Sequence, residues 1–298
     1  MQEEQKNSTA VLPTAQPEIP VLPVPPTPPP KKSWKRRLLI LTAALACTAA
    51  LGGILTENRS NTADNALGLK NLQPDWTYLQ TNGSIKSYRD PQNKVSARLG
   101  TDVSVHQGIV NWSRLKAQGV KFVIVRLGFR GYKTGQLVLD KNFEKNIKGA
   151  QNAGLDVGVY FFSQAVNETE AREEAAYVLK HIDGLKINYP VVFDQEAYTE
   201  AKTRTDNLTG KQATANCTAF CEAIQAGGYL PMVYMNSDWA TQMYDMKTLK
   251  NYLVWYADYR ETPTLSNGFA MWQYTAKGSL AGVGSAYVDM DLLFLPEN

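Results

Sequence analysis

Histidine and cysteine are scarce in this chain, with two and three in 298 residues. Cys217 and Cys221 sit four apart on a predicted helix, hence on one face of it. Such a pair supplies half of a metal site, but no second Cys or His pair completes it, and His106 and His181 stand apart. Small core-facing thiols are therefore expected. A helical pair at this spacing is also poorly placed for a disulfide. With no cluster of metal ligands in view, neither a metal nor another cofactor is expected. A strong excess of one charge is lacking as well. The formal net charge is only +3, and much of it is local, in Lys31, Lys32, Lys35, Arg36 and Arg37. That distribution argues against a nucleic-acid-binding face on the folded part.

Residues 1–37 begin polar, turn rich in proline and end basic. The run Pro25-Pro26-Thr27-Pro28-Pro29-Pro30 cannot build a core, and a disordered or polyproline II-like cytoplasmic tail is predicted. A plain spacer is the simpler reading; a proline-motif partner for residues 20–30 stays open. Leu38–Thr56 is apolar and carries no charge. At about nineteen residues it is long enough for one transmembrane helix. The basic cluster precedes it, so the positive-inside rule places the N-terminus in the cytoplasm and everything after residue 57 outside the cell membrane. A cleaved signal peptide is the rival, with Ala44-Leu45-Ala46 as its cleavage site. The leader before the apolar run is unusually long for that. A lipid-modified Cys47 is a third reading, which the preceding residues fit badly. The reading adopted is a retained single-pass anchor. Residues 57–98 then form an extracellular stem. Within it, Trp76–Leu79 and Ile85–Tyr88 flank Asn82-Gly83, which favours a tight hairpin turn. A hairpin alone is barely stable, so this one is expected to pack on the next domain.

From residue 99 to 298, strand and helix signals alternate. Strands are predicted at Gly100–Val105, Phe122–Leu127, Val157–Phe162, Val191–Phe193, Met232–Tyr234, Leu253–Ala257, Ala270–Tyr274 and Val288–Phe294. Helices are predicted at Trp112–Gln118, Asn142–Ala153, Glu168–Ile182, Lys211–Ala226 and roughly Met246–Tyr252. Gly119 and Gly154 stand where helices should end. This alternation predicts an α/β fold with a mostly parallel sheet, and eight strand candidates predict closure into a TIM-like β/α barrel. The last helices look short or missing, so the barrel is expected to be irregular.

Acidic and aromatic residues gather at the strand ends. In Tyr189–Glu196 a short apolar strand ends in two carboxylates. Residues two apart on a strand face the same way, so Asp194 and Glu196 project together if the extended backbone persists. That end is where α/β barrels place their chemistry. Neighbouring carboxylates split into an acid and a base, because like charges push their pKa values apart. Taken alone, the same pair is also what a solvated loop carries. Asp102 lies in the first predicted strand, Asp258 follows the sixth, and Asp289 and Asp291 lie in the eighth. Tyr160, Tyr234, Trp255, Trp272 and Gln273 are expected to join Asp258 in lining a substrate cleft. Rings stack on the apolar faces of pyranoses and carboxylates drive glycosidic cleavage, so such a cleft suits sugars. Phe161, Phe193 and Tyr256 are expected in the core.

Gly100-Thr101-Asp102-Val103-Ser104-Val105-His106-Gln107-Gly108, followed by Asn111-Trp112, resembles the opening motif of glycoside hydrolase family 25, the Chalaropsis-type lysozymes or N-acetylmuramidases. The resemblance continues in order through Val120–Gly128, Gly154–Phe162, Pro190–Glu196, Met271–Tyr274 and Val288–Asp291, covering essentially all of residues 99–298. It implies an irregular β/α barrel, monomeric, that hydrolyses the β-1,4 bond between N-acetylmuramic acid and N-acetylglucosamine in peptidoglycan. By the same resemblance, Glu196 is similar to the family's general acid, Asp194 to its carboxylate partner, and Asp102 and Asp289 to the other acids of the cleft. Asp102 and Asp194 are expected to stay ionised. The nucleophile, a protein carboxylate or the substrate's own acetamido group, is left open. Gln195 stands where relatives often carry an apolar or aromatic residue, Thr101 where an aliphatic one is common, and Asp291 where many have asparagine. His106 is expected to make a structural hydrogen bond, Arg126 to pair with a cleft acid, and His181 to be an exposed helix-end residue. A catalytically weak wall-binding barrel and a chitinase-like glycosidase are the rival functions.

Overall fold

The computed structural model describes residues 74–198, 201–265 and 268–297. The expected tail, the apolar segment 38–56 and the first part of the stem lie outside the described residues. Among the described residues, no helix is long and apolar enough to cross a membrane.

The predicted hairpin forms, one residue out of step. β1 (Leu79–Asn82) and β2 (Ile85–Asp90) pair antiparallel with Asn82 opposite Ile85, so the loop is Gly83-Ser84. Gly83 turns there at φ +59°, a conformation that side chains with a β-carbon rarely adopt. Trp76–Tyr78 is a 3₁₀ turn capped by Asp75, not a strand. β2 continues into the main sheet by pairing with β3 (Val95–Val103) at Arg89↔Ser96 and Asp90↔Val95. The barrel strand therefore starts four residues before the boundary expected at 99.

All eight predicted barrel strands are present: β3, β4 (Phe122–Arg130), β6 (Asp156–Phe162), β7 (Val191–Asp194), β8 (Pro231–Asn236), β9 (Leu253–Ala257), β10 (Met271–Gly278) and β11 (Val288–Pro296). A short β5 (Leu137–Leu139) adds an edge to β4. The ring closes where β3 pairs in parallel with β4. Every neighbour in it is parallel except β11, which runs antiparallel to both β10 and β3. The reason is connection length. No helix separates β10 from β11, and a return in parallel needs a crossover of about a dozen residues or more, usually helical.

Four of the five predicted helices are present as α1 (Trp112–Ala117), α2 (Phe143–Asn152), α3 (Glu168–Ile182) and α4 (Gly210–Ala226). Asn111, Asn167 and Thr209 cap α1, α3 and α4, each side chain accepting a backbone N–H of the first turn. The segment expected as a helix at Met246–Tyr252 is only a 3₁₀ turn at Thr248–Asn251, preceded by a π turn at Trp239–Met243. Cys217 and Cys221 are both fully buried on the core face of α4, as thiols.

Strand alternation sorts the core into two apolar clusters. Phe122, Ile124, Val192, Met232, Leu253, Trp255, Met271 and Leu293 fill the barrel interior. Val123, Val125, Phe161, Val191, Phe193, Val254, Tyr256 and Trp272 point outward under the helices and the hairpin. Both faces of the strands are covered, which is why β4 and β7 read as continuous apolar runs. The interior is packed rather than hollow. A β-carbon on Gly100 would overlap the Phe122 ring, so only glycine fits beside it.

Candidate active site

The same alternation decides which polar side chains enter the barrel mouth. On β7, Val192 points in and Phe193 out, so Asp194 points in at the strand end. Glu196 follows two residues later on the same side. On β3, Asp102 is the inward residue next to Val103, and it stands directly opposite Asp289 across the β3–β11 ladder. Asp291, two residues on, is inward as well and fully buried. The structure thus brings Asp102, Asp194, Glu196 and Asp289 together, with Asp291 beneath them. Gln195 faces the other way, where its Nε2 donates to Ala165 O at 2.9 Å and pins the end of β7.

Burial and mutual charge govern this cluster. Burial, then the Asp289 charge, pushes Glu196 up to about 7. Burial pushes Asp289 up to about 6. Asp194 is driven well above the usual carboxylate range by burial and by Glu196, with Arg126 opposing. Burial, Asp289 and Asp291 do the same to Asp102, against a hydrogen bond from Gln273. Both shifts run against the expectation that Asp102 and Asp194 stay ionised, because burial and neighbouring like charges each disfavour the charged form. Arg126 does not pair with one of these acids. Its Nε and Nη2 both lie 2.8 Å from Asp140 Oδ2, a buried acid that also accepts Val105 N–H at 3.0 Å. His106 is exposed, and its structural hydrogen bond comes from its backbone N–H to Ser104 Oγ at 3.2 Å.

Of the six expected cleft-lining residues, Tyr160, Tyr234, Trp255 and Gln273 are inward. Tyr234 and Tyr160 pack edge-on to Trp255 at 5.0 and 6.3 Å. Trp255 is 2% exposed and its Nε1 donates to Asp291 Oδ1 at 2.9 Å, so it is the floor of the cleft rather than an open platform. Gln273 Nε2 donates to Asp102 Oδ2 at 2.8 Å. The amide is oriented by the Tyr234 and Tyr259 hydroxyls, which donate to Gln273 Oε1 at 3.1 and 2.9 Å. Trp272 and Asp258 are corrections. Trp272 is fully buried on the outer face, with its Nε1 donating to Asp258 O at 2.7 Å. The Asp258 carboxylate accepts from Arg260 and Thr264 and closes its own loop. Burial opposes its ionisation, yet these bonds hold it below the usual range.

Tyr259 is the residue the sequence reading missed. It is 56% exposed, while its hydroxyl end is enclosed and feels Asp289 and Asp102. Alternation would have found it. Tyr256 faces out, so an extended continuation turns Asp258 out and Tyr259 in; on β10, Trp272 and Gln273 cannot share a face.

The model of glycosyl hydrolases family 25 matches residues 101–283. The autolytic lysozyme of Clostridium acetobutylicum is 26% identical over 192 residues, covering 64% of this chain and 54% of that protein. Lysozyme M1 of Streptomyces globisporus is 27% identical over 195 residues, covering 62% of this chain and 64% of that one. This chain thus spans less than two thirds of either relative's length. The modular autolysin LytC from Streptococcus pneumoniae superposes with a TM-score of 0.60 at 21% identity, over 72% of this chain and 51% of that one, a likeness of fold. The family match spans more than half of this chain and takes in Asp102, Asp194, Glu196, Tyr259 and Gln273. The chain belongs to glycosyl hydrolase family 25.

Proposed function

We propose that this protein is a membrane-anchored muramidase that cleaves the β-1,4 bond between N-acetylmuramic acid and N-acetylglucosamine in peptidoglycan, outside the cytoplasmic membrane. One observation carries the reading. Glu196, held up at about 7, stands at the end of a barrel strand beside buried Asp194, within a ring of inward acids. A carboxyl that keeps its proton near neutral pH is what a glycosidic general acid requires. The two curated relatives are lysozymes by name.

In this mechanism Glu196 donates its proton to the glycosidic oxygen as the bond to the anomeric carbon breaks. Positive charge develops at that carbon, and Asp194, Asp102 and Asp289 answer it. Their negative charge lies in a buried pocket where little water screens it, so it stabilises the developing cation more than the neutral ground state. Asp194 orients and polarises the substrate's acetamido group, whose oxygen closes on the anomeric carbon. Water then opens that ring with Glu196 as base, and the configuration is retained. Gln273 holds Asp102 in place throughout. The anchor is Leu38–Thr56, with the basic cluster before it on the cytoplasmic side.

The test is digestion of purified peptidoglycan by the full chain, with products read by mass spectrometry. New reducing ends on muramic acid are expected, with chitin oligomers left intact. Cleavage of chitin oligomers would favour the chitinase-like rival, and binding without new reducing ends the wall-binding one. Glu196→Gln is expected to lower turnover by about 10²–10⁴-fold with an unchanged circular dichroism spectrum. Near-normal turnover in that variant would remove Glu196 from the acid's role.

A further inference from the structure

The hairpin β1–β2 precedes the segment that the family model matches. It touches β3 by only two register pairs and then leaves it to lie across the outer faces of β11 and β10. Trp76 packs edge-on against Trp272 at 5.6 Å, Tyr88 at 5.9 Å and Phe294 at 6.0 Å. Tyr274 Oη donates to Ser84 O at 3.0 Å and accepts the Lys86 N–H at 3.3 Å. Lys86 Nζ lies 5.4 Å from the centre of the Trp272 ring and donates to Glu261 O at 3.0 Å.

Both ends of this contact set lead to one loop. Glu261 belongs to the segment that the Asp258 carboxylate closes through Arg260 and Thr264. Trp272, the ring under Trp76 and Lys86, donates to Asp258 O. The loop reaches the cleft through the Tyr259 hydroxyl, which orients Gln273, which in turn bonds Asp102.

We propose that the hairpin is a positioning element of the active site, and that Lys86, with Trp76, holds the 258–264 loop where Tyr259 meets Gln273. The proposal deepens the muramidase reading, since its activity test rests on that reaction. Without the brace, Gln273 Oε1 keeps the Tyr234 hydroxyl but loses that of Tyr259, so its amide is held less firmly and its Nε2 is a less fixed donor to Asp102. Lys86 touches no reacting atom and acts wholly through Tyr259.

The experiment is a double-mutant cycle in the full chain. Lys86→Met keeps the apolar stem over Trp272 and removes the donor. It is expected to lower kcat by about 3–10-fold, the worth of one hydrogen bond, with KM nearly unchanged. Lys86→Arg, which retains a donor, is expected to restore most of it. In a Tyr259→Phe background, Lys86→Met is expected to cost nothing further, because the hydroxyl it positions is gone. Hydrogen exchange of the 259–264 amides is expected to quicken in Lys86→Met while α2 is unaffected, a readout that stands whether or not peptidoglycan is the substrate. A lower melting temperature with unchanged kcat and unchanged loop exchange would overturn the proposal. An equal loss in both backgrounds would overturn it too, because the effect would then bypass Tyr259. If wild-type protein leaves peptidoglycan intact, the muramidase reading fails, and the exchange measurement alone decides the brace.

Discussion

A carboxyl that keeps its proton to about pH 7 disfavours the fold once it ionises in place, so Glu196 sets the sign of two pH dependences. Its folded pKa lies above the unfolded value of roughly 4.3. Between the two, the folded state binds the extra proton, so its contribution is fully present below about pH 4 and is lost as pH rises through about 7. Asp289, at about 6, adds to the same trend. Glu196→Gln mimics the protonated form. It is expected to be more stable than wild type at pH 8, by on the order of 1–3 kcal/mol, and equal at pH 4. Thermal melts at both values check this, and equal stability at pH 8 would contradict the environment described for Glu196. Hydrolysis by wild type should fall as pH climbs through about 7, because the acid is then spent. At this scale Asp194 and Glu196 were legible from two-residue periodicity, whereas Asp102 and Asp289 entered as cleft acids only through the family resemblance. Trp272 and Asp258 were misassigned because aromatic or acidic character was weighed above strand parity.

α4 supports β7 from behind. Phe220 on α4 and Phe193 on β7 lie 5.0 Å apart, both fully buried, and Phe193 is the outward neighbour of inward Asp194. Phe220→Ala is expected to destabilise the fold by about 3–5 kcal/mol, read as a lowered denaturant midpoint with little change in slope. A loss below about 1 kcal/mol would mean the site collapses around the gap. Strands and long helices were legible because their apolar periods are local. The π turn at Trp239–Met243 and the 3₁₀ turn at Thr248–Asn251 were not, since neither is long enough to show a period. The antiparallel course of β11 was equally hidden: a strand's residues carry no mark of its direction relative to neighbours.

For the whole molecule, the hairpin is the described segment that precedes the barrel and packs on its outer face. A chain shortened to residues 74–298 is expected to stay in solution without detergent and to keep turnover. One that begins at residue 95 removes Trp76 and Lys86 and should lose turnover. The full chain is expected to sediment with membranes. Detergent dependence of the 74–298 form would displace the anchor from Leu38–Thr56.

Periodicity and covalent order already dictated the α/β alternation, the strand ends that carry acids and the burial of Cys217 and Cys221, because each depends only on near neighbours along the chain; the family rested on the resemblance of several motifs in order. Closure of the ring was decided in three dimensions. It sets Asp102 of the first barrel strand against Asp289 of the last, and lays a hairpin from outside the family segment on the loop of Tyr259. Protonation was decided there as well. A carboxyl's pKa follows the water it has lost and the charges that face it, and both are properties of residues far apart in sequence.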